Sequence, residues 1–140
     1  MLRWKRNESA FTLIELLIVV IIVAVLAGVG VPMLSANVQR AKLSEADAGL
    51  GTVRTGLRVY FAEHRNYSTA AITNIGLTAG DLDGRYFDDS DFSLSGLGAT
   101  TYCIAVTGGA PNTAPKASEV AGLSHSMNQD GTIFESATCT

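Results

Sequence analysis

A chain of 140 residues with a formal net charge of −3 and two cysteines has room for one membrane segment and one small domain of ordinary size, and two domains are not needed. Its 47 % hydrophobic content is concentrated near the N-terminus, so the rest of the chain is Gly-rich, polar and built on a modest core. Charge is uneven as well: Arg3, Lys5 and Arg6 outweigh Glu8 in the first ten residues, leaving the remainder acidic and arguing against a nucleic-acid-binding chain.

The apolar stretch runs from Phe11 to Leu34, FTLIELLIVVIIVAVLAGVGVPML, with Glu15 as its one formal charge. A helix needs about 20 apolar residues to cross a hydrocarbon core of about 30 Å, and Leu16–Leu34 nearly suffices alone. A carboxylate at the edge of such a run calls for a partner, because ionisable groups near the membrane centre cost roughly 2.5–3.5 kcal/mol or more. The basic head stays cytoplasmic by the positive-inside rule. The remainder then lies in an oxidising compartment where Cys103 and Cys139 can pair, two buried thiols being the alternative.

Met1–Ala10 could open a secretory signal, but the apolar run is longer than the usual 7–15 residues and carries Glu15. The candidate processing point lies before it, at Ser9-Ala10-Phe11. Ala10-Phe11-Thr12-Leu13-Ile14-Glu15-Leu16 resembles the processing and methylation motif of type IV prepilins and type II secretion pseudopilins, G-F-T-L-I-E, with Ala10 in place of the usual glycine. The resemblance implies cleavage after Ala10 by a membrane-embedded prepilin peptidase and N-methylation of the new Phe11 amine. It also implies assembly through Phe11 and Glu15, the glutamate meeting the N-terminal amine of a neighbouring subunit. An uncleaved signal anchor whose glutamate snorkels to water is the plainer alternative.

Gly28, Gly30 and Pro32 close the apolar run. Glycine costs about 1 kcal/mol and proline about 3 kcal/mol in a helix interior, so this cluster predicts a kink or a locally unwound turn. Close packing between membrane helices is the other reading of the glycines. Leu43, Ala46, Leu50, Val53, Leu57 and Tyr60 then recur at spacings of three and four, while Arg40, Lys42, Glu45, Asp47, Arg54 and Arg58 occupy the opposite face. One long helix from residue 12 to about 64 is predicted, dependent on tertiary packing because Gly49, Gly51 and Gly56 weaken it; the apolar seam is too short to argue for a coiled coil.

Residues 66–90 read as a loop with little periodicity. Asp81, Asp83, Asp88, Asp89 and Asp91 make its end acidic, which suits a calcium ion in principle but fails the EF-hand template in glycine and glutamate placement. The expectation is a solvated acidic loop facing basic helix residues of a neighbour. Asn66-Tyr67-Ser68 fits a glycosylation sequon.

Four β-prone runs come next: Phe92–Leu97, Thr101–Thr107, Leu123–Asn128 and Thr132–Ser136, with Asp130-Gly131 as a two-residue hairpin turn. Gly108–Ser118 reads as an exposed tip. A Cys103–Cys139 bridge would be worth about 3–4 kcal/mol by loop entropy, and the family resemblance implies a disulfide-bounded C-terminal region. His64 and His125 stand alone, without metal-ligand spacing, and no catalytic or phosphate-cradling constellation is present in the sequence.

These readings predict an α+β, type IV pilin-like fold: a long N-terminal helix, half membrane span and half amphipathic, packed on a small 3- to 4-stranded antiparallel sheet. Residues 1–10 form a cleaved leader, 11–34 the membrane and filament-core half of the helix, and 35–140 the head. The expected function is that of a pilus subunit, without cofactor or metal, held in the inner membrane and then polymerised into an extracellular filament for adhesion, twitching motility or DNA uptake. The resemblance implies a peptidase/methyltransferase, an assembly platform and an ATPase as partners, with no direct nucleic-acid contact expected. The alternatives are a type II secretion pseudopilin and, from another class, an uncleaved anchored binding domain.

Overall fold

A computed structural model of the chain describes residues 11–109 and 112–140. Helix α1, Leu13–His64, dominates it. Arg65 ends the helix in the left-handed region at φ 61°, its N–H donating to the Phe61 carbonyl at 2.8 Å. That conformation costs a non-glycine residue about 1–2 kcal/mol, which is offset by satisfying a helix-end carbonyl. Asn66 then turns the chain, accepting the Ser68 N–H at 3.1 Å on its side-chain oxygen.

Of the kink or locally unwound turn expected at Gly28–Pro32, the unwound form is not present: α1 keeps helical backbone through these residues. A proline removes one i→i−4 hydrogen bond, and the turns on either side retain theirs. The chain divides into two compact units between Asn37 and Val38.

Within the second unit lies a four-stranded antiparallel meander, β1 Phe92–Ser95, β2 Cys103–Thr107, β3 Ser124–Asn128 and β4 Ile133–Phe134, in the order β1-β2-β3-β4. The register pairs Leu94 with Ile104, Ile104 with Met127, and Met127 with Ile133. Strand alternation then separates Ile104 and Val106 on one face from Cys103 and Ala105 on the other. The core combines Ala46, Leu50, Val53, Leu57 and Tyr60 of α1 with Phe92, Ile104, Val106 and Met127 of the sheet. Each large side chain fully buried here contributes about 1.5–3 kcal/mol. The predicted helical stripe is therefore the inner face of the head, with Leu43 packed at its margin.

Two sequence expectations change in detail. The segment between α1 and β1 is the irregular loop expected, but it contributes to the core: Tyr67, Ala70, Ile75, Leu82 and Phe87 are all buried, and only 3-10 turns at Ile72–Asn74 and Asp89–Asp91 interrupt it. Its apolar residues follow no period because an irregular backbone presents them one at a time. The β3–β4 connection is not a two-residue turn on Asp130-Gly131. Asn128 N–H donates to the Thr132 carbonyl at 3.2 Å and Gly131 N–H to the Asn128 carbonyl at 3.0 Å, with Gly131 at φ 90°. The Asn128 side chain accepts from Asp130 and Thr132 N–H and holds the wider, three-residue form.

The helix glycines also acquire distinct roles. A Cβ on Gly49 would run into the Phe92 ring, and one on Gly56 would lie 2.6 Å from the Ile75 carbonyl oxygen, whereas Gly51 has open space around it. Gly49→Ala should therefore lose about 1–3 kcal/mol by overpacking. Gly51→Ala should gain about 0.5–1 kcal/mol from helix propensity. Thermal unfolding of the detergent-solubilised chain, followed by circular dichroism, checks both; equal effects at the two positions would contradict the packing account.

Candidate functional site

The N-terminal end of α1 carries the residues singled out for assembly. Thr12 is the N-cap and Glu15 the third helical residue: Glu15 N–H donates to Thr12 Oγ1 at 3.3 Å, and Thr12 N–H donates back to Glu15 Oε2 at 3.0 Å. The Thr12 hydroxyl adds a bond to the same Oε2 at 2.8 Å. This is a capping box, and its signal in the sequence is the Thr-x-x-Glu spacing, which is independent of how deep the carboxylate lies in a membrane. Glu15 thus has a partner within its own chain. Among the described residues no cation pairs with it.

Phe11 is 81 % exposed beside this box. Ala10 and the rest of the expected leader, Met1–Ala10, lie outside the described residues. Along Leu13–Leu34 the large apolar side chains are 50–83 % exposed on every side of the helix. A helix apolar all round is stable only inside a membrane or among other helices. The described residues contain one helix long and apolar enough to cross a membrane. Gly28 and Gly30 have nothing within 4 Å of a Cβ position.

Of the residues on the polar face of the helix, Lys42, Glu45, Asp47 and Arg54 are half-buried and bind the other elements of the head, while Arg40 and Arg58 are exposed. Lys42 Nζ meets Glu119 Oε2 at 2.9 Å, and Asp47 Oδ1 lies 2.6 Å from His125 Nδ1 on β3. Glu45 Oε1 accepts the Tyr86 and Phe87 N–H groups at 2.7 and 2.9 Å. Arg54 donates to the Gln129 carbonyl at 3.3 Å. Hydrogen bonds from Lys116 and then Lys42 hold Glu119 down to about 2. His64 stacks on Tyr60 with ring centroids 4.1 Å apart, so the two histidines are engaged in separate local contacts.

The acidic segment is not the solvated loop that its composition suggests. Asp81 and Asp83 are exposed, but Asp88 and Asp91 are buried. Asp88 accepts Ser90 N–H at 2.9 Å on one oxygen, and on the other the Thr113 hydroxyl at 2.8 Å together with Thr113 N–H. Asp91 accepts Asp88 N–H at 3.0 Å and the Asn112 side-chain amide. These carboxylates replace a ladder where the backbone is irregular, satisfying donors that burial would leave orphaned. Burial opposes the charge on Asp88, yet its donors, Ser90 foremost and then Thr113, outweigh it and hold the group at about 2. Burial, with the charge of Asp88 adding, pushes Asp91 up. Among the described residues no three metal-ligating side chains converge.

Cys103, at the start of β2, is bonded to Cys139, with Cα atoms 5.9 Å apart. The bridge ties the C-terminal segment back to the second strand. The tip Gly108–Ser118 is anchored through Asn112 and Thr113, and its residues 110–111 lie outside the described set.

An exposed apolar half-helix opening on a capped Thr-x-x-Glu, ahead of a helix-backed, disulfide-closed meander, is consistent with a membrane-anchored filament subunit. Residues 5–31 match the model of the prokaryotic N-terminal methylation motif. The chain is 34 % identical over 101 residues to the type IV wide pilus major component PilA4 of Thermus thermophilus, a match covering 71 % of this chain and 72 % of that protein. It is 38 % identical over 69 residues to the type IV major pilin protein PilA of Myxococcus xanthus, covering 49 % of this chain and 31 % of that one. To the type II secretion system core protein G of Aeromonas hydrophila it is 33 % identical over 75 residues, covering 54 % of this chain and 50 % of that protein. No solved structure matches the chain significantly. The chain belongs to the type IV pilin and type II secretion pseudopilin family.

Two measurements check the head. Because Asp88 is held below its ordinary value of 3.8, its contribution is complete above that value and is lost as the pH falls toward about 2. Asp88→Ala should cost about 1–3 kcal/mol near neutral pH by leaving the Thr113 donors unpaired, and should make the acid limb of a pH–stability profile shallower. Reduction of Cys103–Cys139 should lower stability by about 3–4 kcal/mol; an unchanged melting temperature with and without reductant would contradict this.

Proposed function

We propose that the chain is a structural subunit of a type IV pilus, cut after Ala10, N-methylated at Phe11 and polymerised into a helical filament. The observation that carries the reading is the exposed apolar run of α1, which begins within the matched methylation motif of residues 5–31. Such a surface requires lipid before assembly and other helices after it. The proposed organisation is a leader over 1–10, a membrane and filament-core segment over 11–34 and a head over 35–140.

In this reading Glu15 takes the Phe11 amine of a neighbouring subunit. Opposite charges attract strongly in a low dielectric, but desolvation offsets much of that gain, so the pair sets register more than stability. A head-to-tail contact that does not close generates an open helical filament. Gly28, Gly30 and Pro32 form the turn that yields first when the helix enters the filament. Partners are further copies of the chain, a prepilin peptidase and methyltransferase in the inner membrane, and an assembly platform with an ATPase that supplies the energy. Adhesion, twitching motility and DNA uptake are the activities such a filament serves.

The second reading, a type II secretion pseudopilin, is supported by the likeness to core protein G. The longer match, with higher coverage of both chains, favours the pilin. Mass spectrometry of the mature N-terminus should find a methylated Phe11, and an intact Met1 overturns the proposal in favour of an uncleaved anchored domain. Electron microscopy of sheared cells should then show abundant long fibres containing this chain; their absence, with Phe11 methylated, favours the pseudopilin.

A further inference from the structure

Three cations from separate segments of the head gather at the Tyr86 ring. Lys42 of α1 places Nζ 5.4 Å from the ring centroid, and Arg85 places Cζ 5.9 Å from it. Lys116, on the β2–β3 connection, donates its N–H to the Arg85 carbonyl at 3.0 Å. One carboxylate, Glu119, answers both ammonium groups, with Lys42 Nζ 2.9 Å from Oε2 and Lys116 Nζ on Oε1. Arg85 is exposed, and among the described residues no carboxylate pairs with it. Glu45, which lies beside Tyr86, is taken up by the Tyr86 and Phe87 N–H groups. The Lys42 side chain is only 12 % exposed and fastens α1 to Glu119, whereas that of Lys116 is 36 % exposed. Arg85 and Lys116 are therefore the part of the cluster open to an anion from outside.

The place of Lys42 in the chain says which anion that is. It follows Leu34, the end of the apolar run, by eight residues of α1, or about 12 Å of helix. The polar layer of a bilayer extends roughly 5–8 Å beyond the hydrocarbon core, and the Debye length is about 8 Å at physiological ionic strength. A helix that spans the core thus carries Lys42 and the ring beside it to within reach of lipid phosphates. We infer that Arg85 and Lys116, backed by Lys42 and Tyr86, bind the phosphate of an anionic phospholipid and seat the head on the bilayer. Arginine presents a planar fork to phosphate oxygens and lysine a point charge. A tyrosine ring suits the layer between the apolar and aqueous phases. This inference rests on the membrane-anchored state in the proposed function, not on the filament.

The test titrates the full chain in detergent micelles with phosphatidylglycerol or phosphatidylcholine, with inorganic phosphate as competitor, and counts retained lipids by native mass spectrometry. Phosphatidylglycerol should be retained about tenfold better than phosphatidylcholine, and Arg85→Gln, at an exposed side chain, should lower its retention about fivefold. Adding Lys116→Gln should bring the loss to about tenfold or more. Arg85→Lys, which keeps the charge, should stay within about twofold of the parent chain. So should Arg40→Gln, at an exposed cation that touches none of these groups. Equal retention of the two lipids, or a loss from Arg40→Gln as large as from the double variant, overturns the site in favour of a diffuse charge effect. Displacement of phosphatidylglycerol by inorganic phosphate at equal concentration overturns the lipid as the source of the phosphate. Unchanged lipid retention in the double variant, with filaments lost in cells, overturns the site and assigns the two cations to a contact with another protein. The measurement needs neither cleavage nor assembly, so its failure leaves the pilus-subunit reading standing, and an intact Met1 in cells leaves the lipid site standing.

Discussion

One helix has to satisfy two different solvents, and the rest of the structure depends on how it does so. From Leu13 to Leu34 the apolar side chains of α1 point in all directions and are exposed in the single chain; from Val38 onward the same helix has a buried stripe that belongs to a folded head. The first half cannot remain in water, because burying each such side chain is worth about 1.5–3 kcal/mol. The second half cannot stand alone, because its glycines weaken it and its stripe needs the sheet. A membrane or a set of other helices meets the first demand, while the meander and the irregular segment leading into it meet the second.

The head solves its own difficulty with charged side chains rather than regular ladders. Between His64 and Phe92 the backbone has little repetitive structure, yet it buries Tyr67, Ile75, Leu82 and Phe87. Buried irregular backbone needs acceptors and donors from elsewhere. Glu45 supplies them from α1, Asp88 and Asp91 from within the segment, and Asn112 and Thr113 close the network from the β2–β3 connection. Lys42, Asp47 and Arg54 then fasten the helix to Glu119, His125 and Gln129. A small core is thereby held by polar side chains of high local specificity, with Cys103–Cys139 closing the C-terminal end.

At the N-terminus the same logic holds on a smaller scale. Glu15, a costly residue in an apolar helix, is partnered by Thr12 of its own chain.

The sequence by itself determined the long helix, its apolar and amphipathic halves, the four strands and the family, because these depend on periodicity, turn residues and a contiguous motif that any window of the chain displays. It also contained the Thr-x-x-Glu box in plain form. Only the tertiary structure decided that Asp88 and Asp91 are buried braces, that Lys42, Glu45, Asp47 and Arg54 are fasteners rather than solvated charges, that Gly49 and Gly56 admit Phe92 and Ile75, and that Asn128 widens the last hairpin. Most of these rest on groups distant in the chain meeting across the core. A charge or a glycine looks the same in sequence whether it faces water or a neighbour dozens of residues away, and only the packing of the helix against the sheet distinguishes the two.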